Sequence, residues 1–100
     1  KNAIEIPMRV ARLAADAMTI AEEMAATGNP NSITDAGVGA MTIRTGVKGA
    51  ILNARVNLQD LEDATFSEAV VAEADALWAD IDAREARVLE RVVAVLGGAA

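Results

Sequence analysis

The residue types best suited to hold a ligand fall on one side of a segment between positions 35 and 57. Drawn as a helix at about 100° per residue, the segment places one acid, two glycines and two amides on a single stripe: Asp35, Gly39, Gly46, Asn53 and Asn57. Glycines allow a flat ligand to lie against the backbone, and side-chain amides offer paired donors and acceptors. The stripe indicates either a ligand groove or a helix–helix contact over small residues, in which the amides bond between helices and Asp35 serves as a cap.

A cationic edge lies roughly opposite this stripe on the same helix. It consists of three residues that fall within about 40° of one another: Arg44, Lys48 and Arg55. Such an edge either attracts a carboxylate or phosphate of a ligand or pairs with acids of a neighbouring helix. The acids available for pairing in the third helix are Asp75, Asp80 and Asp82. The spacing favours pairing with these acids.

Composition removes several classes of function. The chain has no histidine and no cysteine, so it offers neither imidazole acid–base catalysis nor a Cys/His metal site. Its net charge is −6, and no basic cluster is present to neutralise phosphates, so nucleic acid is not an expected partner. No signal-peptide pattern is present, and we expect a cytoplasmic protein with no membrane association.

Hydrophobic periodicity predicts three long helices, at about residues 3–27, 34–58 and 66–96. The first helix carries a coiled-coil-like apolar stripe at alternating steps of four and three: Ile6, Val10, Leu13, Ala17, Ile20 and Met24. Pro7 is expected in its first turn, where proline is tolerated. The sequence Gly28-Asn29-Pro30 predicts its end, with Gly28 in the left-handed conformation.

The second and third helices each follow a capping-box pattern. Ser32-x-x-Asp35 precedes the second helix, and Thr65-x-x-Glu68 precedes the third. The second helix is apolar on nearly all sides apart from its cations, which favours a central, largely buried helix over a membrane span. The third helix has an apolar stripe and is predicted to end at Gly97-Gly98; the stripe is Val70, Ala74, Leu77, Ile81, Val88 and Val92.

These elements predict an all-α fold in which three long helices form an antiparallel, bundle-like domain over residues 1–100. The chain is 53% hydrophobic but only 2% aromatic, so its core must be built from small aliphatic side chains. Its mean hydropathy is positive, which indicates that part of its apolar surface is covered by a partner. We therefore expect half of a larger helical domain, a subunit of a dimer, or both.

Three sequence motifs add a family resemblance. They are Ile6-Pro7-Met8, the segment GNPNSITDAGVGA from Gly28 to Ala40, and a GAxxNxxVNL pattern that ends at Leu58. In combination they resemble the C-terminal half of the cyclodeaminase/cyclohydrolase family of folate enzymes. The resemblance covers about residues 4–58, and the third helix matches in length and character.

The resemblance implies an all-helical, dimeric enzyme that acts on the one-carbon unit of tetrahydrofolate without a metal or prosthetic group. A cyclodeaminase converts 5-formiminotetrahydrofolate to 5,10-methenyltetrahydrofolate and releases ammonia, whereas a cyclohydrolase opens the methenyl bridge with water. By this analogy Asp35 orients water or takes a proton, and the substrate is bound by Gly39, Arg44, Lys48, Asn53 and Asn57.

Two partners other than folate follow from the same resemblance, a second copy of the chain or an N-terminal half. That half carries a Pro-Gly-Gly-Gly-Ser-like segment in the family, and this sequence has none. The alternative function is a helical interaction module that pairs with another chain and catalyses nothing.

Overall fold

A computed structural model describes residues 1–97, and these form three helices: α1 (Asn2–Thr27), α2 (Ile33–Leu58) and α3 (Ala64–Val95). The described residues contain no strand, which confirms the all-α prediction. The observed helix bounds lie within two residues of the predicted ones. Gly98, predicted to help end the third helix, lies outside the described residues.

The turn between α1 and α2 begins as predicted, with Gly28 in the left-handed conformation at a φ of 65°. Its N–H donates to the Ala25 carbonyl at 3.1 Å. Asn29 then organises the loop, since its side-chain oxygen accepts from the Asn31 N–H at 2.9 Å and its carbonyl accepts from the Ile33 N–H at 2.9 Å. The polar residues of this turn therefore satisfy backbone groups between the two helices.

Both capping boxes were predicted wrongly. Ser32 is the N-cap of α2, but its side chain caps no backbone N–H and its hydroxyl donates toward the Asn29 carbonyl at 3.5 Å. The cap of α3 is Asp63, whose carboxylate accepts from the Phe66 N–H at 3.0 Å. Thr65 is already inside α3, because the helix begins at Ala64.

Pro7 also differs from its predicted place. Because α1 begins at Asn2, Pro7 lies inside the helix rather than in its first turn. Proline has no N–H, so the Ala3 carbonyl lacks its usual donor four residues later. The side-chain amide of Asn57, at the end of α2, donates to that carbonyl at 3.3 Å.

The three helices run up, down and up, so α1 and α2 form an antiparallel hairpin and α3 packs along one face of it. The core is built mainly from alanines and small aliphatic residues, as the composition predicted. Its largest fully buried side chains are Met8, Met18, Ile33, Val47, Ile51 and Ile81. The predicted stripe of α3 faces this core, with only Leu77 partly exposed.

Ion pairs flank the contact between α3 and α1. Arg84 of α3 donates to the Glu22 carboxylate at 2.6 Å and to the Ala15 carbonyl at 3.0 Å. Nearer the other end, Arg12 lies 2.7 Å from Glu73. The Arg84 hydrogen bond lowers the pKa of Glu22, although partial burial opposes this shift.

The coiled-coil-like stripe of α1 is not the face that packs inside this chain. Ile6, Val10, Leu13 and Ile20 are 49–63% exposed. The face of α1 that packs against α2 and α3 is instead rich in alanine: Ile4, Met8, Ala11, Ala15, Met18, Ala21 and Ala25. Small side chains let the helices approach closely, and this leaves the larger aliphatic residues of α1 on the outside.

The second helix is also less buried than predicted. It contributes buried residues such as Val47 and Ile51, but four large apolar side chains are 45–58% exposed: Val38, Met41, Leu52 and Val56. The molecule is a rod about 52 Å long with a radius of gyration of 15.8 Å. A compact chain of 100 residues has a radius of gyration of about 13 Å. The elongated shape leaves the hairpin with a large apolar surface.

Candidate functional site

The stripe from Asp35 to Asn57 lies on the face of the α1–α2 hairpin that α3 does not cover. On α2, this stripe is about 180° from Arg44 and Lys48, which contact α3. It borders α1, as the Asn57 hydrogen bond to Ala3 shows. The exposed stripe of α1 is about 160° from the α1 residues that contact α3, so both stripes belong to one open face.

The glycines of α2 differ in their surroundings. A methyl group added at Gly39, Gly46 or Gly49 would meet no atom within 4 Å, whereas one at Gly37 would lie 3.2 Å from Val92 of α3. Close helix packing thus explains Gly37. Within the described residues no helix covers the other three, which leaves open backbone along the hairpin face.

Asp35 lies in the first turn of α2 with its side chain exposed. Among the described residues it accepts no side-chain hydrogen bond, so its carboxylate is available to a ligand. Gly39 lies one turn further on, at a rise of about 6 Å. These two residues form a small open surface beside the turn that contains Asn29.

The two amides lie far from that surface. At 1.5 Å per residue, the rise from Asp35 to Asn53 is about 27 Å, so a single reacting group cannot contact both. The amide nitrogen of Asn57 is already used within the chain, because it donates to the Ala3 carbonyl at 3.3 Å and to the Asn53 carbonyl at 2.9 Å. Among the described residues, no hydrogen bond is made by the side-chain oxygen of Asn57. The residues of the predicted site therefore form two separate groups, Asp35 with Gly39 at the beginning of α2 and the two amides at its end.

The cations pair with acids of α3, as the spacing favoured. Arg44 and Lys48 lie 2.6 and 2.7 Å from Asp82, and Arg55 lies 2.8 Å from Asp75. Hydrogen bonds from Lys48, and then from Arg44, hold the pKa of Asp82 below its ordinary value. The ammonium of Lys48 also lies 4.3 Å from the centre of the Trp78 ring. These contacts direct both cations toward α3.

An open cleft of about 450 Å³ is present at the other end of α2, between α2 and α3. Its lining includes Leu52, Val56 and Val71. This cleft is near the amide end of the stripe and far from Asp35. The surface around Asp35 and Gly39 lies on the outside of the hairpin, so a ligand there would need cover from further protein.

Sequence reasoning missed two features of this face. The role of Asn57 beside α1 was signalled by Pro7, because a proline inside a helix leaves a carbonyl without a donor. The exposure of the α1 stripe was signalled by the alanines of the same helix, which offer a second packing face. Neither signal identifies the neighbouring helix without coordinates.

Comparison with known proteins assigns this arrangement to a family. A family model described as formiminotransferase-cyclodeaminase matches residues 1–76, which include all of α1 and α2 and the beginning of α3. The chain belongs to the formiminotransferase-cyclodeaminase family. The resemblance inferred from the three sequence motifs is thereby confirmed.

Several relatives agree with membership of the formiminotransferase-cyclodeaminase family. A methenyltetrahydrofolate cyclohydrolase of Methylorubrum extorquens is 35% identical over 92 residues, which are 92% of this chain and 44% of that protein. A formimidoyltransferase-cyclodeaminase of Sus scrofa is 31% identical over 94 residues, covering 94% of this chain and 17% of that protein. The corresponding protein of Rattus norvegicus is 32% identical over 68 residues, covering 68% and 13%.

This family member spans less than half the length of those relatives. No solved structure gives a significant match to it. From Lys1 to Gly97, no helix is long and apolar enough to cross a membrane.

Proposed function

We propose that this chain forms part of a folate one-carbon enzyme that acts on 5-formimino- or 5,10-methenyltetrahydrofolate. The observation that carries the proposal is family membership, together with relatives named as a methenyltetrahydrofolate cyclohydrolase and as formimidoyltransferase-cyclodeaminases. The exposed Asp35 and the open backbone at Gly39 are compatible with a flat ligand on the hairpin face.

In this proposal Asp35 acts at the reacting carbon. Its carboxylate takes a proton from water that adds to the methenyl bridge, or moves the proton that accompanies loss of ammonia from the formimino group. Both reactions need proton transfer at the same one-carbon unit, and a positioned side chain contributes about 10²–10⁴-fold to such a step. Gly39 keeps the adjacent backbone clear, so that a ring can lie against it.

We assign the other predicted binding residues either to ligand contact away from the reacting carbon or to positioning of the helices. Asn53, whose side chain is exposed, contacts the distal part of the folate or a second ligand group. Asn57 holds α1 against α2, and Arg44 and Lys48 hold α3, so these three residues position the hairpin face. This assignment follows from their contacts with Ala3 and Asp82.

The active unit needs more protein than these three helices, because the Asp35 surface lies on the outside of the hairpin. Two sources of cover are a second copy of the chain and the part of the relatives' length that this chain does not span. Either would enclose a ligand against α2 and exclude water from the reaction.

The test is an absorbance assay of 5,10-methenyltetrahydrofolate with the protein at its full natural length. We expect consumption of that species, or its formation from 5-formiminotetrahydrofolate, above the rate in buffer. Asp35→Asn should lower kcat at least about 100-fold, whereas Asp60→Asn, an exposed carboxylate in the loop before α3, should not. Unchanged turnover in Asp35→Asn would show that Asp35 has no catalytic role. Absence of both reactions in the wild type would refute the proposal that this protein is a folate enzyme.

A second candidate function is an interaction module without catalysis, and the exposed apolar stripe of α1 favours it. This alternative predicts that the full-length protein associates with a partner through the hairpin face and has no activity on either folate. The same assay therefore separates the two candidates. Association by itself does not, since the enzyme also needs cover on this face.

A further inference from the structure

The chain has nine cationic side chains, and two that form no ion pair line the same cleft. From Lys1 to Gly97, six of the nine lie 2.6–2.8 Å from a carboxylate oxygen: Lys1, Arg12, Arg44, Lys48, Arg55 and Arg84. The other three are Arg9, Arg87 and Arg91. Arg9 is alone on α1, whereas Arg87 and Arg91 lie one turn apart on α3 and border a cleft between α1 and α3.

This cleft has a volume of about 160 Å³. Pockets for drug-sized ligands measure about 300–1,000 Å³, so the cleft suits a molecule smaller than a folate. Both arginines that line it are exposed and can be reached from solvent. The rest of the lining is one acid and three apolar residues: Glu22, Ala25, Ala26 and Val88.

Glu22 does not neutralise the two arginines, because its carboxylate is already paired with Arg84. The Nε and Nη2 atoms of Arg84 donate to the two carboxylate oxygens of Glu22 at 3.1 and 2.6 Å. The Arg84 hydrogen bond is the main cause of the lowered pKa of Glu22, and the charge of Arg87 contributes least. The cleft therefore holds two guanidinium groups beside an ion pair that is neutral as a whole.

The Arg91 side chain is held in place by the end of α1. Its Nε donates to the Ala25 carbonyl at 3.3 Å. Its guanidinium also lies against Gly28, where an added Cβ would come within 2.7 Å of the Arg91 Nη2 atom. Within the described residues the two terminal nitrogens of Arg91 make no hydrogen bond, so they are available to a ligand that enters the cleft.

Two cations one helical turn apart repel each other, and a ligand with two negative charges between them removes that repulsion. A phosphate carries nearly two charges at neutral pH, and its oxygens match the paired N–H groups of a guanidinium. A carboxylate brings only one charge. We propose that Arg87 and Arg91 bind a phosphate dianion in this cleft, either as inorganic phosphate or as a monoester with a small apolar group. The apolar group of a monoester would contact Ala25, Ala26 and Val88.

This site is separate from the proposed folate chemistry. Asp35 is not part of the cleft lining, and both arginines lie beyond residue 76, where the family match ends. Loss of phosphate binding would therefore leave the folate proposal standing, and a protein without folate activity can still be tested for phosphate binding.

The test is a phosphorus NMR titration of the protein at its full natural length, at about pH 8 and at an ionic strength held constant with sodium chloride. We expect saturable broadening of the inorganic phosphate signal with one site per chain. Arg87→Gln should weaken binding at least about tenfold, and Arg87→Gln/Arg91→Gln should abolish it. Arg9→Gln removes the third unpaired arginine, on α1, and as the matched control it should bind phosphate like the wild type.

Two further variants and ligands refine the test. Arg87 makes no hydrogen bond or ion pair within the described residues, so Arg87→Gln should keep the melting temperature of the wild type. Arg91→Lys keeps the charge but loses the paired N–H groups, so its affinity should lie between those of the wild type and Arg91→Gln. Tighter binding of phenyl phosphate than of inorganic phosphate would identify a monoester as the ligand, and equal binding would identify inorganic phosphate.

Three results would overturn the proposal. The first is a wild-type protein that shows no saturable binding of either phosphate compound. The second is binding that persists in the double arginine variant or that falls equally in Arg9→Gln, because the anion would then respond to overall charge or to another site. The third is acetate that binds as tightly as phosphate, because the site would then not select a dianion.

Discussion

The side-chain amide of Asn57 donates a hydrogen bond to the Ala3 carbonyl at 3.3 Å, which joins the end of α2 to the beginning of α1. The acceptor is the carbonyl that Pro7, having no N–H, leaves without its usual helical donor. The amide donates again to the Asn53 carbonyl at 2.9 Å, so both of its protons are used. Asn57 thus compensates for a proline inside the neighbouring helix.

This relationship predicts a stability coupling between Asn57 and Pro7. Asn57→Ala should lower the free energy of unfolding by about 0.5–1.5 kcal/mol, the usual net value of a hydrogen bond. The loss should be smaller in a Pro7→Ala background, because residue 7 then supplies its own N–H to Ala3. Urea unfolding of the four members of this double-mutant cycle measures the coupling. Asn53→Ala is the control, and equal losses in both backgrounds would contradict the assignment.

The glycines of α2 and of the turn before it predict opposite effects of substitution by alanine. Gly46→Ala should raise the free energy of unfolding by about 0.5–1 kcal/mol, because it favours the helix and meets no neighbour. Gly37→Ala should gain less, since its methyl group would lie 3.2 Å from Val92. Gly28→Ala should destabilise by about 1–2 kcal/mol, the cost of a left-handed conformation for an L-residue. Thermal unfolding of the three variants checks this order, and a stabilising Gly28→Ala would be inconsistent with the turn geometry.

Substitutions at Asp63, the N-cap of α3, can distinguish its hydrogen bond to the helix backbone from its ion pair with Lys1. Asp63 accepts from the Phe66 N–H and also lies 2.8 Å from Lys1, and both contacts lower its pKa. Asp63→Ala should cost about 0.5–2 kcal/mol, whereas Asp63→Ser should cost less because serine still caps the helix. Thr65→Ala, at the position where the cap was predicted, should change stability little. Denaturant unfolding compares the three, and a larger effect at Thr65 than at Asp63 would restore the capping-box interpretation.

The pairing of Asp82 with Lys48 and Arg44 predicts a dependence of stability on acid pH. The pKa of Asp82 is lowered in the folded chain, so its charge stabilises the fold above its ordinary pKa of 3.8. That contribution is lost as the pH falls through the lowered pKa. The melting temperature of the wild type should therefore exceed that of Asp82→Asn at neutral pH, and the difference should shrink on acidification.

The matched control for this prediction is Asp60→Asn, in the exposed loop between α2 and α3. Its melting temperature should follow the wild type across the same pH range. Added salt should reduce the advantage of the wild type over Asp82→Asn, because these partly exposed charges are screened. A constant difference from neutral to strongly acidic pH would show that Asp82 acts through packing rather than charge.

Helix number, helix ends and the faces of α3 followed from the sequence because each depends on local rules. Apolar spacing, Gly28 and Pro30 act within a few residues of their own position. Ser32 was predicted correctly as the N-cap residue of α2, but without the side-chain hydrogen bond of a capping box, and the cap residue of α3 was predicted wrongly. Several hydroxyls and acids compete at each helix start. The backbone path selects among them, and Asp63 precedes Thr65 by two residues.

The site was harder to predict because it depends on which face of each helix is covered. Helical projection placed Asp35 and Asn57 on one stripe correctly, but it ignored the distance along the helix axis. It also could not choose between two packing faces of α1, one of alanines and one of larger residues. Burying the alanines lets the helices lie closer, and this places Leu13 and its stripe outside.

The contact between Lys48 and Trp78 places an indole ring at the seam between α2 and α3. Trp78 is the single tryptophan, and the chain has no tyrosine, so the ultraviolet emission of the protein arises almost wholly from one ring. That ring lies under the ammonium of Lys48, at the seam between α2 and α3. Separation of α3 from α2 would therefore change the emission of Trp78. Fluorescence of Trp78 thus reports whether α2 and α3 are in contact.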